Sequence, residues 1–263
     1  MKPSYLVLAA HGSTASANAN QPLHQLAAAL AERAEFDRVT PAFLDGTPEM
    51  TSVLESLPPG SVNVVPVMTS EGYYLKKLPE KFSANRNFDQ FDFSISPVVG
   101  IHGSWPCTIA RRIKHHLQNH GLISSETTVL LIGHGTRRNP KSGQTTIDLK
   151  ESLALRLVDT DPELRFEVAF LDQEPQLVAT VRQLTTPNVI VIPFLISRGP
   201  HVTEDVPAAF GLPTGPGVEF PMLGSSGRKC PDQREGIYLI DGPLATYPDM
   251  VDVVLEVATG VGV

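Results

Sequence analysis

The chain has 263 residues, a formal net charge of −7, 41% hydrophobic residues and 19% charged residues, enough for one large domain or two modest ones of ordinary globular composition. Its longest apolar runs, such as Tyr5–Ala10 and Val189–Ile196, fall far short of the ~20 residues that span a bilayer, and one Lys followed by six apolar residues is too little for a secretory signal. The acidic balance argues against nucleic acid as the main partner, since phosphate contacts need clustered Lys and Arg, and two cysteines, Cys107 and Cys230, exclude a disulfide framework in a chain that reads as cytoplasmic.

Short runs of Val, Ile and Leu bounded by turn residues predict strands, and longer amphipathic stretches predict helices. The first strand is expected at Tyr5–Ala10, then a helix over Asn18–Ala34 and a strand at Arg38–Leu44. A helix over Pro48–Ser56, a strand at Ser61–Met68, a helix over Tyr73–Phe82, a strand at Phe91–Val98 and a helix over Ser104–Asn119 follow. After a joint near His120–Thr127 the series starts again. Strands are expected at Thr128–Gly133, Arg165–Leu171, Asn188–Leu195 and Gly236–Ile240, and helices near Pro140–Val158, Pro175–Leu184, His201–Phe210 and Pro248–Ala258. The Gly- and Pro-rich stretch Gly211–Glu235 predicts a long loop, of the kind that serves as a lid or stays unstructured. Such β-α-β-α order with near-continuous apolar strands predicts parallel sheets covered on both faces.

The chain also repeats itself. Tyr5–Thr14 (YLVLAAHGST) matches Val129–Thr136 (VLLIGHGT), placing His11 and His134 at an offset of 123. Phe-Leu-Asp-x-x-Pro recurs in Pro41–Met50 and Val168–Leu177 at an offset of 127, and Pro66 and Pro193 repeat that offset within matching third strands. A fainter match pairs Val98–Pro106 with Pro243–Asp249. Four motifs in one order indicate two homologous halves, 1–123 and 124–263, the second carrying an insertion near 211–235.

Ligands of open parallel sheets bind beyond the carboxyl ends of the strands. His11 and His134 follow the first strand of their halves, Asp45 and Asp172 end the second strands, and Thr69–Tyr74 and Ser197–His201 follow the third. His134, Asp172 and His201 should therefore converge on one rim. On a helix His201 and Glu204, three apart, share a face. Imidazoles beside a carboxylate suit a divalent first-row metal and proton transfer near neutral pH. The plainer reading of each histidine is an imidazole bonded to loop backbone, and that of Asp45 and Asp172 is a helix cap. His115, His116 and His120, beside Arg111, Arg112 and Lys114, read as a solvated helix face, and His102 as part of a helix start.

The segments Gly133-His134-Gly135-Thr136, Phe170-Leu171-Asp172-Gln173-Glu174-Pro175 and His201-Val202-Thr203-Glu204-Asp205-Val206-Pro207 resemble those of the sirohydrochlorin chelatases of the CbiX type, class II chelatases, in their long two-half form. The resemblance covers most of the chain. It departs at Asp172, where the family has Glu, and at Tyr73 and Tyr74, which stand in the first half where His is expected. It implies two chelatase-like, flavodoxin-like α/β domains, each a doubly wound parallel sheet, facing each other across a cleft. It further implies ATP-independent insertion of Co²⁺ or Fe²⁺, in some relatives Ni²⁺, into sirohydrochlorin or a related anionic tetrapyrrole, in cobalamin or siroheme biosynthesis, with no permanently bound cofactor. By the same resemblance His134 and His201 contact the metal and accept protons, with Glu204 as a catalytic relay and Glu174 as an alternative one. Arg137, Arg138, Arg198, Ser197, His11 and Tyr73 are the expected substrate contacts. A monomer or homodimer without membrane or nucleic-acid partners is expected. The alternative reading is a non-catalytic tetrapyrrole- or metal-binding protein derived from that family. A third, phosphoryl transfer as in histidine phosphatases, calls for Arg-His-Gly, whereas Ala10 and Gly133 precede the histidines here.

Overall fold

Two parallel sheets form from the two series of apolar strands. The computed structural model describes residues 2–12, 20–136, 141–215, 217–226 and 235–260. The first sheet contains β1 (Ser4–Gly12), β2 (Arg38–Asp45), β3 (Ser61–Pro66) and β4 (Asp92–Ile95), in the order β2-β1-β3-β4 and parallel throughout. Helices α1 (Gln21–Glu32), α2 (Tyr73–Ser83) and α3 (Trp105–Asn119) complete the first series. The second sheet contains β5 (Thr127–Gly133), β6 (Arg165–Phe170), β7 (Asn188–Pro193), β8 (Met222–Ser226) and β9 (Gly236–Ile240), in the order β6-β5-β7-β9-β8. Its helices are α4 (Lys141–Leu157), α5 (Leu177–Gln183), α6 (Val206–Ala209) and α7 (Met250–Thr259), with one widened π-turn over His201–Asp205. Apart from β8, the second sheet repeats the first strand for strand.

Burial explains the strand composition. Every residue of β5 and β7 is buried, which suits continuous Val, Ile and Leu under cover on both faces. α1 buries Leu23, Leu26, Ala27 and Leu30, the i, i+3, i+4, i+7 spacing of one helix face, and each such leucine contributes about 1.5–3 kcal/mol.

Two expected elements come out differently. The helix over Pro48–Ser56 shrinks to a 3₁₀ turn at Val53–Ser56. The chain before it spends its backbone on β2: Phe43 N–H donates to the Pro48 carbonyl, and Met50 N–H to the Phe43 carbonyl. The loop expected over Gly211–Glu235 contains β8, antiparallel to β9 at the sheet edge. An edge strand pairs on one side, so β8 forms from few apolar residues and leaves Leu223 exposed.

The compact units also differ from the sequence halves. One unit comprises Met1–Gly103 with Ala245–Val263, and the other Ser104–Leu244. Helix α3 ends the first series but belongs to the second unit, where it buries Trp105, Ile109, Ile113, His116 and Leu117 and packs against α4. The Trp105 ring meets Phe194 edge-on, 6.4 Å between centroids. Helix α7 ends the second series but belongs to the first unit. There it buries Met250, Val253, Val254 and Val257, Asp252 pairs with Arg33 at 2.6 Å, and the Ala258 carbonyl accepts from Asn63 Nδ2 at 2.7 Å. His102, buried in that unit, lies 3.6 Å from Glu256. The two series have exchanged their closing helices.

A buried ionic cluster fastens α3 to the second sheet. Asp241, just past β9, accepts from Arg112 Nε at 2.7 Å and also from its Nη2, and His116 Nε2 lies 3.3 Å away. Asp241 and His116 are almost fully buried, so the expectation of a solvated face is corrected at His116. The partner that buries it comes from 125 residues away. Burial pushes the Asp241 carboxyl up, but the hydrogen bonds and charges of His116 and Arg112 outweigh this and hold it well below the ordinary carboxylate range. A depressed carboxylate contributes stability above its unfolded value, about pH 4, and the contribution fades as pH falls below that.

Asp241→Ala is therefore expected to cost about 3 kcal/mol at neutral pH, read from urea midpoints, and to flatten the loss of stability between neutral and acid pH relative to the parent. An unchanged midpoint would contradict the fastening role. Fragment 1–121 carries the first sheet without α7, and α3 without its sheet. Expressed alone, it is expected to show no cooperative urea transition, and to gain one when mixed with fragment 122–263.

Candidate functional site

In the second unit β5 and β7 are parallel neighbours, with Ile132 opposite Pro193. The chain leaves β5 toward β6 on one side, and β7 continues toward β9 on the other. Their carboxyl ends thus border a crevice of the kind where open α/β sheets bind ligands. His134 stands just past β5 and His201 opens the π-turn after β7. Their rings lie 5.0 Å apart between centroids at 90°, and both side chains are about half exposed.

The tautomers follow from the partners. His134 Nδ1 is 2.9 Å from the Gly135 carbonyl, with an Asp172 carboxylate oxygen at 3.4 Å. His201 Nδ1 is 2.6 Å from an Asp205 carboxylate oxygen. A carbonyl and a carboxylate can only accept, so in the neutral ring each Nδ1 carries the hydrogen and each Nε2 keeps its lone pair. Loop packing holds this arrangement. Gly135 has φ +69°, and a Cβ there would meet the Gln173 side chain, which accepts from Thr136 N–H at 3.1 Å. The Asp172 and Leu171 amides both donate to the His134 carbonyl. A cavity of about 550 Å³ opens beside His201, its lining including Asp172, Leu177, Arg182, Asp205 and Ala208.

Other expected residues fall elsewhere. Glu204 is exposed on the π-turn, and the carboxylate bonded to His201 is that of Asp205. Glu174 Oε2 accepts from the Gln176 amide at 3.1 Å and braces its own loop. Arg198 stacks over Phe220, 5.5 Å from the ring centre, and Ser197 lies in the loop after β7. Arg137 and Arg138 lie outside the described residues, and the side chain of Tyr73 is likewise outside them.

The first unit repeats the geometry with different side chains. His11 Nδ1 is 2.9 Å from the Gly12 carbonyl and 3.7 Å from Asp45. The ring that meets His11, 4.3 Å away at 88°, is Tyr74. Sequence reasoning gave no role to Asp205 or Gln173, and it set Tyr73 and Tyr74 together where a histidine is expected, with Tyr73 as the substrate contact. The repeat offset of 127 maps Tyr74, and not Tyr73, onto His201. Asp205, four residues beyond His201, was within helical reach of it.

Among the described residues no three or more His, Cys, Asp or Glu side chains gather as a metal cage, and no helix is long and apolar enough to cross a membrane. The chain is 25% identical over 222 residues to a probable sirohydrochlorin cobaltochelatase of Halobacterium salinarum, covering 77% of this chain and 75% of that protein. Among solved structures it resembles a multi-domain protein of Deinococcus radiodurans with structural similarity to chelatases (TM-score 0.74, 21% identity), covering 99% of this chain but 56% of that one. It also resembles CbiX, the terminal enzyme of siroheme biosynthesis in denitrifying bacteria (TM-score 0.70, 18% identity, 97% and 98% covered). At these identities the structures testify to the fold. The sequence model of the CbiX family matches residues 5–116 and 128–260, so both halves of the chain belong to the CbiX family of sirohydrochlorin chelatases.

Proposed function

We infer that this chain inserts a divalent metal ion into sirohydrochlorin or a closely related tetrapyrrole, and that the second unit carries the chemistry. The observation that supports this most is the facing pair His134 and His201, each with Nδ1 engaged and, among the described residues, no hydrogen bond to Nε2. Metallation exchanges two pyrrole N–H protons for one metal ion, with no change of oxidation state. It needs a donor set that strips part of the hydration shell and then lets the metal go. Two imidazoles with open remaining positions suit that task better than a closed four-ligand site. The imidazoles can also accept the protons released. No nucleotide is required, and the sequence contains no Gly-Lys-Ser/Thr phosphate loop.

The acid side chains of the tetrapyrrole need cations. Arg198, held over Phe220, can fork its N–H edges onto a carboxylate, and Arg137 and Arg138 flank the His134 motif in sequence. Arg182 lines the cavity beside His201, whose volume suits part of a large ligand. Ser197 adds a neutral hydroxyl on the same loop as Arg198. Imidazole accepts Co²⁺, Fe²⁺ and Ni²⁺ alike, so the choice among them lies in supply and in the substrate.

The test is anaerobic mixing of protein, sirohydrochlorin and Co²⁺ or Fe²⁺, followed by visible spectroscopy against a protein-free control. The parent is expected to metallate well above control, and His134→Ala and His201→Ala to lose about 10²-fold or more. Folded variants that metallate as fast as the parent would refute the assignment. A parent that binds sirohydrochlorin but gives no acceleration would mark a carrier.

A further inference from the structure

The two imidazoles of the second unit are held by unlike partners. His134 is held by a backbone carbonyl, with Asp172 somewhat farther away. His201 is held by a full carboxylate, Asp205, at 2.6 Å across an i, i+4 step of the π-turn. A charge-assisted hydrogen bond is roughly twice as strong as a neutral one, and a π-turn is a local widening that recurs at functional sites. The Asp205 side chain is 56% exposed, so it serves no core, and among the described residues the group it meets is His201.

The duplication supplies an internal comparison. In the first unit the position of His201 is Tyr74, still edge-on to its facing histidine. Four residues further on, where the second unit has Asp205, the first has Leu78, fully buried in the core. Imidazole and carboxylate are present together in one unit and replaced together in the other. The His11–Asp45 and His134–Asp172 pairs, in contrast, persist in both. A carboxylate kept merely for solubility or for capping has no reason to follow the identity of the residue four positions before it.

We propose that Asp205 is a positioning residue: it accepts the Nδ1–H of His201, fixing the tautomer and ring orientation that present the Nε2 lone pair to the incoming metal. This rests on the reading of His201 as a metal-contacting group. Outer partners of ligating histidines act in this way, and their loss lowers metal affinity or activity about 10–100-fold. Asparagine at position 205 is the discriminating change. It keeps the size, but its amide N–H₂ can donate to Nδ1 and so select the opposite tautomer, as happens in a serine-protease triad whose aspartate is changed to asparagine.

The experiment uses the full chain with ¹⁵N-labelled histidine in mildly alkaline buffer, with His201 assigned through His201→Gln. In the parent the His201 ring nitrogens are expected to report hydrogen on Nδ1. In Asp205→Asn they are expected to shift toward Nε2–H or a mixture, and in Asp205→Glu to remain near the parent. In metallation assays Asp205→Asn is expected to lose about 10–100-fold in kcat with KM for sirohydrochlorin unchanged, and Asp205→Glu to recover part of it. Urea midpoints of all three should coincide. Identical His201 nitrogen shifts in parent and Asp205→Asn would overturn the proposal, whether or not the parent metallates. So would a shifted tautomer with parental kcat. A parent that shows no metallation while the tautomer shifts as expected leaves the positioning by Asp205 standing and removes the chelatase reading instead.

Discussion

The pairing of β5 with β7 brings together two chain segments about sixty residues apart and leaves their carboxyl ends side by side. The chain then departs in opposite directions, toward β6 and toward β9. Backbone hydrogen bonds fix the register, and a one-residue slip would swap the side chains packed on the two covered faces. His134 and His201 gain their 5.0 Å separation from that register rather than from any contact sought by the histidines themselves. Short local devices then aim the rings: a glycine in the left-handed region, a Gln173 brace and a widened turn.

The first sheet has the same pairing, with Ala9 opposite Pro66, and it brings His11 and Tyr74 together in the same edge-on fashion. Duplication therefore preserved a scaffold while one copy of the chemistry changed. Tyrosine offers a weakly acidic hydroxyl and a ring face, and it lacks the neutral nitrogen donor that a borderline-soft metal prefers. This asymmetry of side chains on a repeated backbone is what the proposed placing of the chemistry in the second unit rests on. A single-domain member of such a fold would offer no internal comparison of this kind.

Much of this was legible in the chain itself, for physical reasons. Continuous apolar runs ending in His-Gly mark buried parallel strands and their carboxyl ends, and the nearly constant offset between halves carries both across the duplication. Features that depend on partners distant in sequence were not legible. The polar run around His116 looks like a solvated helix face until Asp241 is placed against it. Strand β8 has too few apolar residues to declare itself, because an edge strand is stabilised by β9 alone. Helical spacing puts both Glu204 and Asp205 within reach of His201, so only the folded turn shows that the bonded carboxylate is that of Asp205. The 3₁₀ turn at Val53–Ser56 in place of a full helix likewise reflects backbone groups of Pro48 and Met50 already engaged by Phe43.

The exchanged closing helices have a consequence for the newborn chain. All four strands of the first sheet have been synthesised once residue 95 is made, yet the helix that covers part of that unit spans residues 250–259. At about 5–20 residues per second, the ribosome needs about 8–30 s to make the intervening stretch. Throughout that interval the surface destined for Val253, Val254 and Val257 has no cover from its own helix. The unit that begins first is thus completed only after residues 104–244 of the other have been made, against the usual order of synthesis. Its early sheet must stay soluble until residues 250–259 arrive.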